Sequence, residues 1–163
     1  MNLLRKKEKK SIIILGKINE KATKERIYIM TKKELAIALH DKKYNCAQAV
    51  ACAFADEVGM DKETIFRMME GFGLGMGGMQ GTCGAISGAV ALAGLKNSDG
   101  DIDNPTTKAA TYQLSKEIVS KFEEKNKGSL CKDLKGVATG TPLRSCPDCI
   151  MDAVEIVEEV LGL

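Results

Sequence analysis

The sequence predicts an all-α fold: a single compact bundle of about five to six helices, with a glycine-rich loop leading into a buried central helix. Three observations predict it. From residue 31 onward the apolar residues recur at helical spacing, and no convincing alternating strand pattern appears. Helix start and stop residues punctuate the chain at intervals that suit helices. The apolar surface comes mostly from Ala, Val, Ile, Leu and Gly, with no Trp and few aromatics, which suits closely packed helices.

Residues 1–30 differ from the rest. They show no sustained period and hold nine Lys/Arg against three Asp/Glu, a charge of +6. They read as a disordered or misannotated extension, with Met30 as the natural start. The domain is then 31–163, with a charge of −4. The basic excess lies wholly in the extension, so the domain offers no electrostatic case for nucleic acid. The run Ile12 to Leu15 is too short for a secretory signal. A cytoplasmic location is expected, and there cysteines serve metals or redox chemistry more often than structural disulfides.

The helices are expected at 32–41, 45–58, 61–72, 83–95, 105–126 and 147–161. Thr31 and Glu34 form a T-x-x-E box before the first. Asn45 caps the second and Gly59 ends it; Asp61 caps the third. The fourth follows "GFGLGMGGMQGTC", and its Gly84, Gly88 and alanines allow neighbouring backbones close, and with them a homodimer. Asn104-Pro105 starts the fifth, with Pro at the first helical position. The sixth sets Ile150, Ala153, Val154, Val157, Val160 and Leu161 on one face and Asp152, Glu155, Glu158 and Glu159 on the other.

Several function classes fall away. Residues 71–95 carry no charge, but the glycines preclude a membrane-spanning helix, so no membrane insertion is expected. Gly73, Gly75 and Gly78 spell G-x-G-x-x-G, yet a helical pattern precedes them where a dinucleotide fold needs a strand. Two readings of this loop remain: a connector, or a set of backbone N–H groups aimed at one anionic centre. "DGDID" lacks the Gly at 104 and Glu at 110 of a calcium loop and reads as a solvated loop. The one histidine, His40, reads as a helix C-terminal cap rather than a catalytic base.

The cysteines are more informative. Cys46 follows the Asn45 cap, and Cys83 opens the central helix. Cys131 follows Ser129, a cap for the short turn "LCKDL", and Cys146 precedes Pro147. Four cysteines from four parts of the chain thus fall at helix starts. The N–H groups and dipole of such a start lower a thiol's pKa from about 8.5 and favour the thiolate, the form that ligates metals and attacks disulfides. Cys52 lies about 120° around its helix from Cys46 and reads as packing. Cys149, three residues after Cys146, reads as a resolving thiol or a fifth ligand.

Taken together, "YNCAQAV", "GFGLGMGGMQGTCGAISGAVALAGL", "SLCKDL" and "SCPDCIMDAVEI" resemble the C-GCAxxG-C-C family of redox proteins over about residues 31–163. The resemblance maps the family's four cysteines onto Cys46, Cys83, Cys131 and Cys146. Cys149 and Cys52 are additions to the pattern. A related domain in split-Soret-type cytochromes implies an iron–sulfur site; this chain has no C-x-x-C-H haem attachment.

Three functions follow as expectations. One is a redox-active protein with an iron–sulfur cluster on Cys46, Cys83, Cys131 and Cys146, cofactor contacts from Gly84 and Gly78, and a redox partner protein. Another is thiol–disulfide cycling by Cys146/Cys149 or Cys83/Cys146. The third is a structural zinc site on the same four cysteines.

Overall fold

A computed structural model describes residues 30–163. The readings of the first twenty-nine residues, and of Met30 as a start, lie outside the described residues. Residues Lys32–Leu163 form one unit. It is all-α: α1 (Lys32–Asp41), α2 (Cys46–Ala53), α3 (Lys62–Met69), α4 (Gly84–Asn97), α5 (Lys108–Asn126), α6 (Cys131–Leu134) and α7 (Cys146–Leu161). The described residues contain no strand, only an isolated antiparallel bridge between Thr82 and Leu130.

Helices α2, α4 and α7 form the centre, each touching the other two, with α1 against α2 and α7, α3 against α2, and α5 against α4 and α7. The shared core joins Val50 and Phe54 at the end of α2 with Ile86 and Leu92 of α4, Ile118 and Phe122 of α5, and Ile150, Val154 and Val157 of α7. The close approach of α2 to α4 depends on Gly88: a Cβ there would lie 2.7 Å from the Ala47 carbonyl oxygen and 3.2 Å from Val50 Cβ. The α4 helix is buried along the side carrying Ala85, Ile86, Ala89, Leu92 and Ala93. Among the described residues no helix is long and apolar enough to cross a membrane.

Several boundaries differ from expectation. Helix α2 stops at Ala53, because the chain turns through residues 54–59 before Asp61 caps α3. Helix α5 starts at Lys108, not at Pro105. The preceding loop satisfies its own backbone: Asp99 accepts from the Asp101 N–H, and Asp101 accepts from Asp103 and Asn104 N–H. Asn104 is thus consumed as a loop donor and caps nothing. The N-cap of α6 is Leu130 rather than Ser129, whose hydroxyl reaches the Glu123 carboxylate at 2.5 Å. Asp152 is buried in α7, where Lys125 and Arg144 each reach it at 2.9 Å, so it does not belong to the polar face.

The glycine-rich run is neither helix nor plain connector. It makes a 3-10 turn at Glu70–Phe72 and a kinked π turn at Gly75–Met79. Leu74, Met76 and Met79 all hold positive φ, a left-handed backbone that side chains disfavour. Such a chain reverses sharply, and it delivers Cys83 to the start of α4.

Candidate functional site

Five of the six cysteines meet at one cavity of about 320 Å³: Cys46, Cys83, Cys131, Cys146 and Cys149 all line it. All six are free thiols. Cys83, Cys131 and Cys149 are buried and Cys46 and Cys146 half-buried. Cys52 is absent from the lining; it packs in the core with its thiol 3.9 Å from the Lys62 carbonyl.

Each thiol is placed by a helix start. Asn45 and Gln48 close a reciprocal capping box around the first turn of α2, where Cys46 is the first residue. The Asn45 amide also donates to the Glu70 carbonyl at 2.9 Å, and buried Gln48 donates to the Phe66 carbonyl, so this start is tied to the end of α3. Cys83 occupies the N-cap of α4; the Ala85 and Ile86 N–H groups face its sulfur without closing a regular cap. Cys131 opens α6. Cys146 opens α7 behind the N-cap Ser145, whose hydroxyl accepts from the Asp148 N–H, and Pro147 follows it in the first turn.

Cys83 and Cys131 are held in register by main chain. The Cys83 N–H donates to the Ser129 carbonyl at 2.8 Å, and the Cys131 N–H donates to the Gly81 carbonyl at 3.0 Å, on either side of the Thr82–Leu130 bridge. Gly75 makes room for this: a Cβ there would stand 2.6 Å from Cys131 Cβ and 2.8 Å from the Gly81 oxygen.

The thiols divide electrostatically, where the helix starts alone predict four stabilised thiolates. The Cys46 S–H donates to the Cys146 sulfur, and the Cys149 S–H to the Cys83 sulfur. The acceptors are the anions. Cys146 is brought down to about 5 by the Cys46 hydrogen bond, against the opposing effect of burial, with help from the charge and hydrogen bond of Lys135 and the charge of His40. Cys83 is lowered by the Cys149 hydrogen bond first, then by the two backbone N–H groups. Cys46 and Cys149 are pushed far up, as donors to neighbouring thiolates. Cys131 is raised by burial and by the negative charges of Cys83 and Cys146. At two of the four starts the dipole is overridden, at Cys46 first by its hydrogen bond to Cys146 and at Cys131 first by burial, with like charge adding to both.

Of the remaining wall, only Gly84 was read as a site residue from the sequence. His40, Asn45, Leu74, Gly84, Leu134, Lys135 and Arg144 complete the lining. The His40 Nδ1–H donates to the Tyr44 carbonyl at 2.9 Å, so the imidazole is fixed beside the thiols rather than capping its own helix. Arg144 Nε is clamped by Asp152 at 2.9 Å. Of the two glycines expected to touch a cofactor, Gly84 lies in the wall; Gly78 stands outside it, with nothing within 4 Å of where its Cβ would be. The one available sequence signal for the cations was spacing: Lys135 is one helical turn after Cys131, and Arg144 is two residues before Cys146.

Chemically, five thiols with two hydrogen-bonded pairs can donate soft ligands or exchange electrons through sulfur. Among the described residues no three ligating side chains already stand in a metal-binding arrangement. The cysteines supply the donor kind and number that a thiolate-ligated group needs, but not a ligating arrangement.

No curated protein and no solved structure matches this chain. A family model described as "Putative redox-active protein (C_GCAxxG_C_C)" matches residues 44–160, a span that holds all five thiols of the cavity and most of the folded unit. The chain belongs to the C_GCAxxG_C_C family of redox-active proteins.

Proposed function

We propose that the thiol cavity is a Cys-ligated redox centre, with an iron–sulfur cluster on Cys46, Cys83, Cys131 and Cys146, in a small cytoplasmic protein that exchanges electrons with a partner protein. The observation that carries this reading is convergence: four cysteines from four separated segments, each at a helix start, line one cavity. A bound cluster supplies one-electron transfer. The chain's own residues do the rest. The Ala85 and Ile86 N–H groups face the Cys83 sulfur, Lys135 balances the charge on Cys146, and buried Leu134 limits water in the wall.

A second reading, thiol–disulfide exchange, is favoured by the two hydrogen-bonded pairs and by the low pKa of Cys146. The hydrogen bonds add the pairs Cys46/Cys146 and Cys83/Cys149 to Cys146/Cys149 and Cys83/Cys146 as candidates. The zinc reading is an outcome of the same test, since the aliphatic core closes without a metal.

The test is anaerobic production of the full chain without chelator, followed by iron, acid-labile sulfide and zinc per chain and the visible spectrum. Matched iron and sulfide, lost on substituting any of the four cysteines, supports the cluster. Zinc alone moves the protein to the structural class. Failure to reconstitute any metal leaves the dithiol reading.

A further inference from the structure

The connections between helices divide by charge. Residues 42–45, 70–83 and 127–145 gather at the thiol end: His40 at the close of α1 lines the cavity, Asn45 donates to the Glu70 carbonyl, and the Cys83 N–H bonds to Ser129. Together they hold six Lys/Arg against Glu70 and Asp133, a charge of +4. Residues 54–61 and 98–107 leave the other ends of α2 and α4. They hold Asp56, Glu57, Asp61, Asp99, Asp101 and Asp103 with no Lys or Arg, a charge of −6. We propose that the thiol end is the docking surface for an acidic partner protein that presents apolar side chains among its carboxylates. That the docked protein exchanges electrons rests on the cluster reading; the surface itself does not.

Two further observations point to a protein. The cations are uncompensated: among the described residues Lys42, Lys43, Lys127, Lys132 and Lys135 form no salt bridge, and of the six only Arg144 is paired, with Asp148 and Asp152. The same stretches also carry six of the nine large hydrophobic side chains that stand exposed among the described residues: Phe72, Leu74, Met76, Leu130, Val137 and Leu143. The Thr82–Leu130 bridge and the bonds beside it tie two of these stretches together. Exposed apolar groups gathered in one region mark an interaction surface, and free cations beside them select carboxylates. Opposite charge at the two ends also turns an acidic partner toward the cavity before contact. Nucleic acid fits less well, since Phe72 is the one aromatic among the six and successive bases need several to stack on. A membrane surface calls for a long amphipathic helix, and the longest α-helix in these stretches is the four-residue α6.

The experiment uses the full chain and, as the probe, an acidic plant-type ferredoxin. Calorimetry measures binding at low and at physiological salt. A zero-length carbodiimide then joins lysines to carboxylates in the complex, and peptide mass locates the cross-links. One variant carries Lys42→Glu, Lys43→Glu, Lys127→Glu and Lys132→Glu. Its control carries Lys62→Glu, Lys96→Glu, Lys108→Glu and Lys116→Glu, four exposed lysines outside the thiol end, with the same change in net charge. A third variant, Val137→Ser with Leu143→Ser, tests the apolar contribution.

The thiol-end reversals should weaken binding about tenfold or more, and the control reversals less than about threefold. The serine pair should weaken it about fivefold and leave its salt dependence unchanged. Cross-links on the wild type should fall at Lys42, Lys43, Lys127, Lys132 and Lys135. Equal loss in the two reversal variants, cross-links confined to residues 1–29 or to the control lysines, or no saturable binding at low salt overturns the proposal. So does an affinity for phosphatidylserine vesicles or single-stranded DNA that exceeds the affinity for ferredoxin and is lost in the thiol-end variant. The cross-link map is made on wild type, so it does not depend on a variant folding. If the chain takes up no iron, the cluster reading falls, and the binding data still decide the surface.

Discussion

The two ends of helix α2 carry the same side chain in two chemical settings. Cys46, at the N-terminal end, is half-buried among four other thiols, with a capping box behind it and the Cys146 sulfur accepting its hydrogen bond. Cys52, near the other end, is sealed in the aliphatic core, where burial alone raises its pKa against a weak pull from Lys62. Thiol chemistry here is a property of position. The helix start brings N–H donors, but the neighbouring thiols decide which sulfur holds the charge.

The contrast can be broken by substitution. The largest effect is expected for Cys46→Ser, which removes bound iron after reconstitution, while Cys52→Ala retains it; iron and sulfide assays on both variants check this. Equal loss in both would erase the distinction between site and core.

Glycines sharpen the same contrast. Gly75→Ala forces a side chain into left-handed backbone and against Cys131. It should cost about 2–4 kcal/mol and displace that thiol. Gly88→Ala presses on the Ala47 carbonyl and Val50 instead. It should cost about 1–3 kcal/mol while leaving the thiol reactivities alone. Urea unfolding beside alkylation mapping separates the two.

The pH dependence is a finer test. Cys146 titrates near 5 because Cys46 and Lys135 favour its thiolate. Its alkylation should therefore rise as pH passes 5 rather than near 9. Lys135→Met removes a cation from the thiolate, so the midpoint moves upward and alkylation at pH 6 slows about tenfold. Rate against pH at Cys146, read by peptide mass, measures it. An unchanged profile would show that Cys46 and His40 set the charge without Lys135.

The smallest effect is Cys52→Ala on stability. Loss of one buried sulfur should cost about 1 kcal/mol by denaturant unfolding.

Much of this was legible in the sequence. The T-x-x-E box, Asn45 and Asp61 mark local decisions, and α1, α2 and α3 start where those residues put them. The four cysteines at helix starts were visible for the same reason. Their meeting was not, because it depends on α2, α4 and α7 packing at one end. Lys135 and Arg144 reach the cavity only because the Arg144 N–H returns to the Leu134 carbonyl, folding residues 135–143 back on themselves. Cys149 was read from its spacing as a companion of Cys146, and the structure sets both in the wall of the same cavity with Cys83. Asn104-Pro105 failed because the aspartates upstream fold this stretch into a self-bonded loop, and the helix begins only at Lys108.

The Thr82–Leu130 bridge has a consequence for how this protein tolerates change. Main-chain bonds on either side of it set the spacing of Cys83 and Cys131. A spacing set by backbone is blind to the side chains around it. Aliphatic residues in the helical body can therefore drift in identity over many generations while these two sulfurs keep their separation, provided that glycine persists at 75 and 81, where a Cβ would strike Cys131 and Met76 respectively. The pair is insulated from turnover in the core that surrounds it.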